Sequence, residues 1–348
     1  VTSLIDVARA LTFFQGFEGA EVEMIGGGLI NESFLVRFGA LRYVLQRVAD
    51  IFDPAIHHNI VAVTEHLARY DIETPHLIPT RDGEPYVLLD DIGCWRLMTY
   101  VDGITHHKLP GPTHAEAAAA LVGRFHRALD DLHHDFVGAR IGVHDTQRHL
   151  ALLKTALSEH VDHPLHAPVS RLAHQIATAA EQLMPLTDLP KRICHGDLKI
   201  SNVMFHRDSE VPRAKCLIDL DTVGPMVLAH ELGDAWRSWC NPNREDDPES
   251  ATFDMGIFEA SWRGYQLGIG GALDASTRLS LLGGPEWISL ELAARFAADA
   301  LRERYFGWDQ TRFSRAGEHN LLRARGQWAL HEAIVSTRDQ RSLLLGLD

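Results

Sequence analysis

Basic residues are scarce in this chain of 348: 33 Lys and Arg stand against 47 Asp and Glu, a formal net charge of -14. Such a surface repels nucleic acid and anionic lipid over most of its area, so a phosphorylated ligand needs a local cluster of positive groups. Cysteine is rare too. Cys94, Cys194, Cys216 and Cys240 show no CxxC spacing, which argues against a disulfide framework and for reduced thiols in a cytoplasmic protein. No run approaches the ~18 uninterrupted apolar residues of a membrane helix. The N-terminus VTSLIDVARA lacks a basic region followed by an apolar one, so neither a membrane nor a nucleic-acid partner is expected. Histidine is plentiful at 21, with pairs at His57-His58, His106-His107 and His133-His134. Adjacent helical residues point about 100° apart and chelate poorly, and no HExxH occurs.

What is present is ordinary globular composition, 45% hydrophobic and 23% charged, at a length that fits about two domains. The first hundred residues read as strands: Glu21 to Ile25, a break at Gly26-Gly27-Gly28, then Ser33 to Phe38 and Arg42 to Val48 around Gly39-Ala40. Asp53-Pro54 starts a helix that places Ile56, Ile60, Val63 and Leu67 on one face. Two short strands are predicted at Pro85 to Asp90 and Trp95 to Val101. From about residue 102 helical spacing takes over, beginning with a capping box of Thr113 and Glu116. Long helices are expected near 145–160, 168–184, 251–267 and 286–305. The acidic stretch Asn243 to Ser250 reads as a solvated loop.

One strand-rich island interrupts the helices: ICHGDLKISNVMFHRDSEVPRAKCLIDLD, residues 193 to 221. It contains HxDxxxxN as His195, Asp197 and Asn202, then a hairpin from Val203 to Ile218, then Asp219 and Asp221. Phosphoryl transfer needs a carboxylate to take the acceptor hydroxyl's proton and oxygen ligands that hold Mg²⁺ between phosphates. Asp197 suits the first task, and Asn202 with Asp219 suits the second. Lys199 can meet the transferring group, and His195 can brace the loop. Asp221 is either a partner behind the metal ligands or a further carboxylate on the cation.

HGDLKISN followed by IDLD resembles the aminoglycoside phosphotransferase and choline kinase superfamily. That resemblance implies an α+β, two-lobed, protein-kinase-like fold with a small antiparallel sheet over a larger helical lobe. The lobes would span 1–97 and 102–348, with a hinge at 98–101. It further implies ATP and Mg²⁺ as cofactors and a small-molecule partner. The segments GGGLINESFLV, RYVLQRVADIF, HDTQRHL, IDLDTVGP, ARFAADAL and EHNLLRARGQ are similar to the N-acetylhexosamine 1-kinase subgroup. The implied reaction is transfer of the γ-phosphate to a sugar's anomeric hydroxyl. Aminoglycoside, homoserine or amino-alcohol kinases, and a nucleotide-sensing pseudokinase, are the alternatives.

On the nucleotide side, Gly26, Gly27 and Gly28 with Asn31 can lay backbone N–H groups over phosphates. Val44, Met98 and Tyr100 would border the adenine. Gln46 falls where kinases carry the lysine of the third strand, and the helix after it offers no glutamate on its buried face, so both members of that ion pair look absent together. On the acceptor side, Glu291, Arg295 and Asp299 recur every four residues, a spacing that fits an exposed charge ladder. The subgroup resemblance assigns Arg295 and Asp299 to substrate instead, leaving Glu291 as surface. It also points to Asp145, Arg148, Asn320 and Arg323. Glu231 or Asp234 would brace the catalytic loop.

Overall fold

The computed structural model describes residues 2–25, 31–138, 144–183, 186 and 189–347. Gly26, Gly27 and Gly28 lie outside the described residues. The chain opens with helix α1 (Leu4–Leu11), which the strand-like reading of the first hundred residues misses. Its signal was in the sequence, because Ser3 and Asp6 form a reciprocal capping box.

Antiparallel strands follow: β1 (Glu21–Ile25), β2 (Glu32–Phe38) and β3 (Leu41–Val48) form a meander. Helix α2 (Ile56–Ala68) comes next, its first turn tied by the Ala55 N–H to Asp53 Oδ1 at 2.9 Å. Strands β4 (Leu77–Ile78), β5 (Val87–Leu89) and β6 (Gly93–Thr99) complete a six-stranded sheet. Strand β6 lies against β3, so the sheet closes on a strand separated from it by a whole helix. One face, with Phe34, Val36, Leu45, Trp95 and Leu97, packs on Val7 and Leu11 of α1. The other carries Val48 and Cys94 against Phe52 and Ile56 at the start of α2.

The second lobe is mainly helical. Strand β7 (Ile104–Thr105) leads into α3 (Pro112–Ala128), α4 (Thr146–Glu159) and α5 (His166–Ala180). The Thr113 capping box does not form. Helix α3 starts two residues earlier, with Pro112 at its first position and Gly111 as a cap without a side chain, and Glu116 pairs with Arg263 instead. Two small sheets hold the chemistry: β8 (Lys191–Cys194) pairs with β11 (Gly224–Val227), and β9 (Val203–Phe205) with β10 (Ala214–Leu217) and β7. Helices α6 (Leu228–Trp239), α7 (Met255–Ile269), α8 (Ala275–Arg302), α9 (Ala316–Ser336) and α10 (Arg338–Leu344) close the fold.

Helix α8 begins eleven residues before the expected start, because it runs straight through Pro285. Gly283-Gly284-Pro285 reads as a break, yet burial of this whole stretch against α6 and α9 overrides the local propensity. The architecture is α+β: an antiparallel sheet lobe over a helical lobe.

Candidate active site

Strand β8 delivers His195 and Asp197 into a tight loop. Gly196 turns it at φ +85°, and a Cβ there would lie 2.5 Å from the Thr222 carbonyl oxygen, so glycine is required twice over. His195 is fully buried. Its Nε2–H donates to the Ile218 carbonyl at 2.9 Å, and its Nδ1 accepts from the Asp197 N–H at 3.3 Å. The ring therefore fastens the loop to the end of β10. Trp239 Nε1 donates to the Leu198 carbonyl at 2.6 Å, and Thr222 Oγ1 to the His195 carbonyl at 2.9 Å, which fix the same loop from α6 and from the turn that follows Asp219.

The charged groups converge there. Lys199 Nζ lies 2.7 Å from Asp197 Oδ2 and 3.7 Å from Asp219 Oδ2. Burial pulls the Lys199 pKa down, but Asp197 and Asp219 more than offset it, so the ammonium stays charged. Asn202, at the end of a single 3₁₀ turn, donates its Nδ2 to the Asp197 carbonyl at 2.9 Å and to its carboxylate at 3.2 Å. Its amide oxygen is left facing away from Asp197. Asp219 sits in the left-handed region at φ 67°, ψ 57°, a conformation an aspartate adopts at local cost. Burial, then the neighbouring Asp221 charge, push its carboxyl above the usual range. The half-buried Asp219 carboxylate and the Asn202 side chain lie on segments joined by the Ile218 N–H to the Asn202 carbonyl at 3.0 Å; a carboxylate and an amide are hard oxygen donors, so the residue types fit Mg²⁺.

The brace behind the loop is Glu231, not Asp234. Glu231 takes the N–H groups of His195 and Gly196 at 2.8 and 2.9 Å. His126 lies 3.4 Å from the same carboxylate and 3.0 Å from the Tyr265 hydroxyl. Burial keeps His126 neutral, so the consistent tautomer donates Nε2–H to Glu231 and accepts the Tyr265 O–H at Nδ1. His126, Cys194 and Glu231 are the one group of three His, Cys or acidic side chains among the described residues whose ligand atoms all lie within 4.8 Å of one another, but this carboxylate is spent on the two amides. Asp234 pairs with Arg237 instead, at 3.0 Å.

Asp221 has a donor on each oxygen. Arg96, on β6, ion-pairs with Oδ1, and Asn31 Nδ2 donates to Oδ2 at 2.8 Å. Asp221, two residues from Asp219, is thus held by donors from the sheet lobe. Arg96 lies directly across from Gln46 in the β3–β6 register. Its Nε and Nη2 donate to Gln46 Oε1 at 2.9 and 2.7 Å, while Gln46 Nε2 donates to Ser33 Oγ at 2.9 Å. Both ends of Gln46 are thus held in place, its oxygen by Arg96 and one N–H by Ser33, with the second N–H of the amide not assigned an acceptor. Strand β3 carries no lysine, and the buried ion pair across from Gln46 joins Arg96 of β6 to Asp221 instead; this cross-strand pairing is a tertiary fact that the spacing of β3 and α2 does not disclose.

Val44 and Met98 are also cross-strand partners and share the face of Gln46 and Arg96. The Tyr100 ring lies under the Arg42 guanidinium at 4.2 Å, and its N–H donates to the Arg42 carbonyl at 3.2 Å. One face of its ring and its backbone N–H are thus engaged within the sheet lobe. Trp95 is a core residue of the opposite face.

The acceptor-side residues fall into two groups. Asp299 is buried and accepts the N–H groups of Arg304, Tyr305 and Phe306 at 2.9–3.0 Å, plus Asn320 Nδ2 at 2.9 Å. Asp299 and Asn320 anchor the turn after α8, an occupation that leaves no oxygen of Asp299 for a substrate. Asp145 caps α4 through the Arg148 N–H at 2.9 Å. Nearer the loop is a second set, which extends from Asp234 and Arg237 to Glu245, 4.0 Å from Arg237 and 3.8 Å from Arg323. Arg295 stands 3.8 Å from Glu291.

Two expectations fail here. Glu291 is fully buried, held by Thr146 at 2.8 Å and His144 at 3.3 Å, so the four-residue spacing is not an exposed ladder. The stretch from Asn243 to Ser250 is not solvated throughout: Asp246 is buried among Arg244, Arg312 and His319, and Glu245 lies against α9. Charge composition cannot reveal that these acids have basic partners as far as 147 residues away.

A small antiparallel lobe over a helical one, with an HxDxxxxN loop beside an Asp-bearing turn, defines a kinase-like phosphotransferase fold. The chain belongs to the phosphotransferase enzyme family APH, whose pattern spans residues 21–267. A homoserine kinase of Zymomonas mobilis is 23% identical over 220 residues, 63% of this chain and 65% of that protein, so the match spans less than two thirds of that relative's length. A microcompartment-associated aminopropanol kinase has the same fold, with a TM-score of 0.66 at 18% identity over 97% of this chain and 98% of its own. Amicoumacin kinase hAmiN, solved in complex with AMP-PNP, Ca²⁺ and Ami, gives a TM-score of 0.64 at 13% identity over 95% of this chain and 94% of its own. No helix among the described residues is long and apolar enough to cross a membrane.

Proposed function

We propose that this protein is an ATP- and Mg²⁺-dependent small-molecule kinase whose acceptor is a sugar hydroxyl, the anomeric hydroxyl of an N-acetylhexosamine being the first choice. The observation that carries the reading is the convergence of Asp197, Lys199, Asn202 and Asp219 on one loop and turn. Asp197 orients the acceptor hydroxyl and takes its proton while the acceptor oxygen bonds to the γ-phosphorus and the bond to the ADP oxygen breaks. Lys199 lies beside both acids and offsets the charge that builds on the transferring group. Asn202 and Asp219 would hold the cation, which when bound neutralises the phosphates. His195 braces the loop. Val44 and Met98 would line the adenine with the hinge at 98–101, and Asn31 would close the phosphate end.

The acceptor side favours an uncharged polyol, because its acids stand beside arginines: Asp234 with Arg237, Glu245 with Arg323, Glu291 with Arg295. Such pairs offer donors and acceptors to hydroxyls without a net field. Arg295 and Arg323 are the proposed contacts there, with Arg148 at the edge.

The likeness to a homoserine kinase supports a second reading, since paired acids and arginines also suit a zwitterion. A screen of phosphate transfer from ATP to hexoses, N-acetylhexosamines, homoserine and amino alcohols, with and without Mg²⁺, tests both. Transfer to N-acetylhexosamines supports the first reading. Transfer only to homoserine or amino alcohols replaces it with the second, and inertness toward every acceptor despite ATP binding points to a nucleotide sensor.

A further inference from the structure

We infer that Arg96 supplies the positive charge that the α- and β-phosphates of the nucleotide meet, with Asp221 as its counter-charge. Arg96 has this role only if the chain binds ATP as proposed above.

The face of the sheet shared by Val44 and Met98 continues, one cross-strand pair further along, to Gln46 and Arg96, and then to Val48 and Cys94 against α2. Side chains on one face of a strand recur every ~6.6–6.8 Å. Arg96 thus stands one such step from the proposed adenine border, in the direction of the phosphates. Its ion-pair partner Asp221 is two residues from Asp219, the proposed metal ligand. The guanidinium is fixed between the adenine end and the metal end of the site.

Its orientation is set by two other side chains. Ser33 holds the amide nitrogen of Gln46, so Gln46 Oε1 faces Arg96 and takes two of its N–H groups. Asn31 holds Oδ2 of Asp221, so Oδ1 faces Arg96 and takes a third. A guanidinium has five N–H groups, which leaves two without an assigned acceptor. His57, in the first turn of α2, is close enough to feel both Arg96 and Asp221. Burial, and then Arg96, lower its pKa to about 4, so it is neutral and Asp221 is the carboxylate that balances the cation. Arg96 is only 2% exposed, so water screens its charge poorly and the field persists over several ångströms.

The two halves of the pair make opposite predictions. Binding of adenosine, AMP, ADP and ATP would be measured by calorimetry for the unaltered protein, Arg96→Gln and Asp221→Asn, with thermal unfolding recorded for each. Arg96→Gln is expected to weaken ADP and ATP at least tenfold and leave adenosine within twofold. Asp221→Asn, by releasing the full charge of Arg96 toward the phosphates, is expected to tighten ADP or leave it unchanged. If both variants weaken ADP and adenosine alike, the pair is only a clamp between the lobes and the assignment fails. It fails equally if folded Arg96→Gln binds ADP normally. Should Arg96→Gln not fold, Asp221→Asn decides alone: weaker ADP overturns the role, and unchanged or tighter ADP supports it. No nucleotide binding by the unaltered protein would sink the kinase reading and the role of Arg96 together, whereas normal ATP binding with an insensitive Arg96→Gln sinks only the latter.

Discussion

Glu231, on helix α6, receives the backbone N–H of His195 at 2.8 Å and that of Gly196 at 2.9 Å, so one buried carboxylate holds both peptide units that precede the proposed base. The base is thereby placed by main-chain geometry, while Lys199 and Asn202 donate to one and the same oxygen of its carboxylate.

Removing that hold separates position from chemistry. Glu231→Gln keeps one acceptor oxygen and puts an NH₂ group against an amide donor. The expected cost is about 1–3 kcal/mol of stability for one unsatisfied buried group, with kcat lowered more than the KM for ATP. Chemical denaturation and steady-state kinetics on the same preparation check both.

Asp197→Asn is expected to lower transfer by about 10²–10⁴-fold, the usual span for losing a positioned general base. Nucleotide affinity should be retained. Turnover near the unaltered rate would remove Asp197 from the role of base.

Chelation of divalent cations should abolish transfer, and Mg²⁺ should restore it. In Asp219→Asn the restoring concentration should rise at least tenfold, because the half-buried Asp219 carboxylate is the anionic member of the donor set with Asn202. A titration of initial rate against free Mg²⁺ reads this out.

Acid should destabilise the fold through two buried histidines. Burial chiefly lowers His57 and His331 to about 4, against about 6.5 in an unfolded chain. The unfolded state then binds more protons below pH 6.5, so the stabilisation is complete above that pH and is lost as pH falls toward 4. Each contributes up to about 3 kcal/mol over that window. Midpoints of urea unfolding should fall between pH 6.5 and 4, with a shallower fall in His331→Gln.

Gly326 packs α9 against the acidic segment so closely that a Cβ would lie 2.0 Å from the Glu245 carbonyl oxygen. Gly326→Ala is expected to cost about 1–3 kcal/mol, the range for overpacking, and to raise the KM of the acceptor by shifting Glu245 from Arg237 and Arg323. Ala324, two residues away on another face of the helix and also buried, offers a control: Ala324→Gly should lower stability by leaving space rather than by displacing Glu245.

Local order was legible in the chain wherever chemistry and spacing coincide. The loop from His195 to Asn202, the hairpin to Asp219, the meander around Gly39 and the change to helical spacing after residue 102 all rest on neighbours within a few residues, where periodicity and turn chemistry act directly. Tertiary structure decided the rest. It placed Arg96 opposite Gln46, gave each oxygen of Asp221 a donor, chose Glu231 over Asp234 as the brace, buried Glu291 and Asp246 among distant partners, and carried α8 through Pro285. Each is a matter of which charge or peptide group is desolvated and what faces it there. Residue identity states what a side chain can donate or accept, and only packing determines which partner remains once water has been removed.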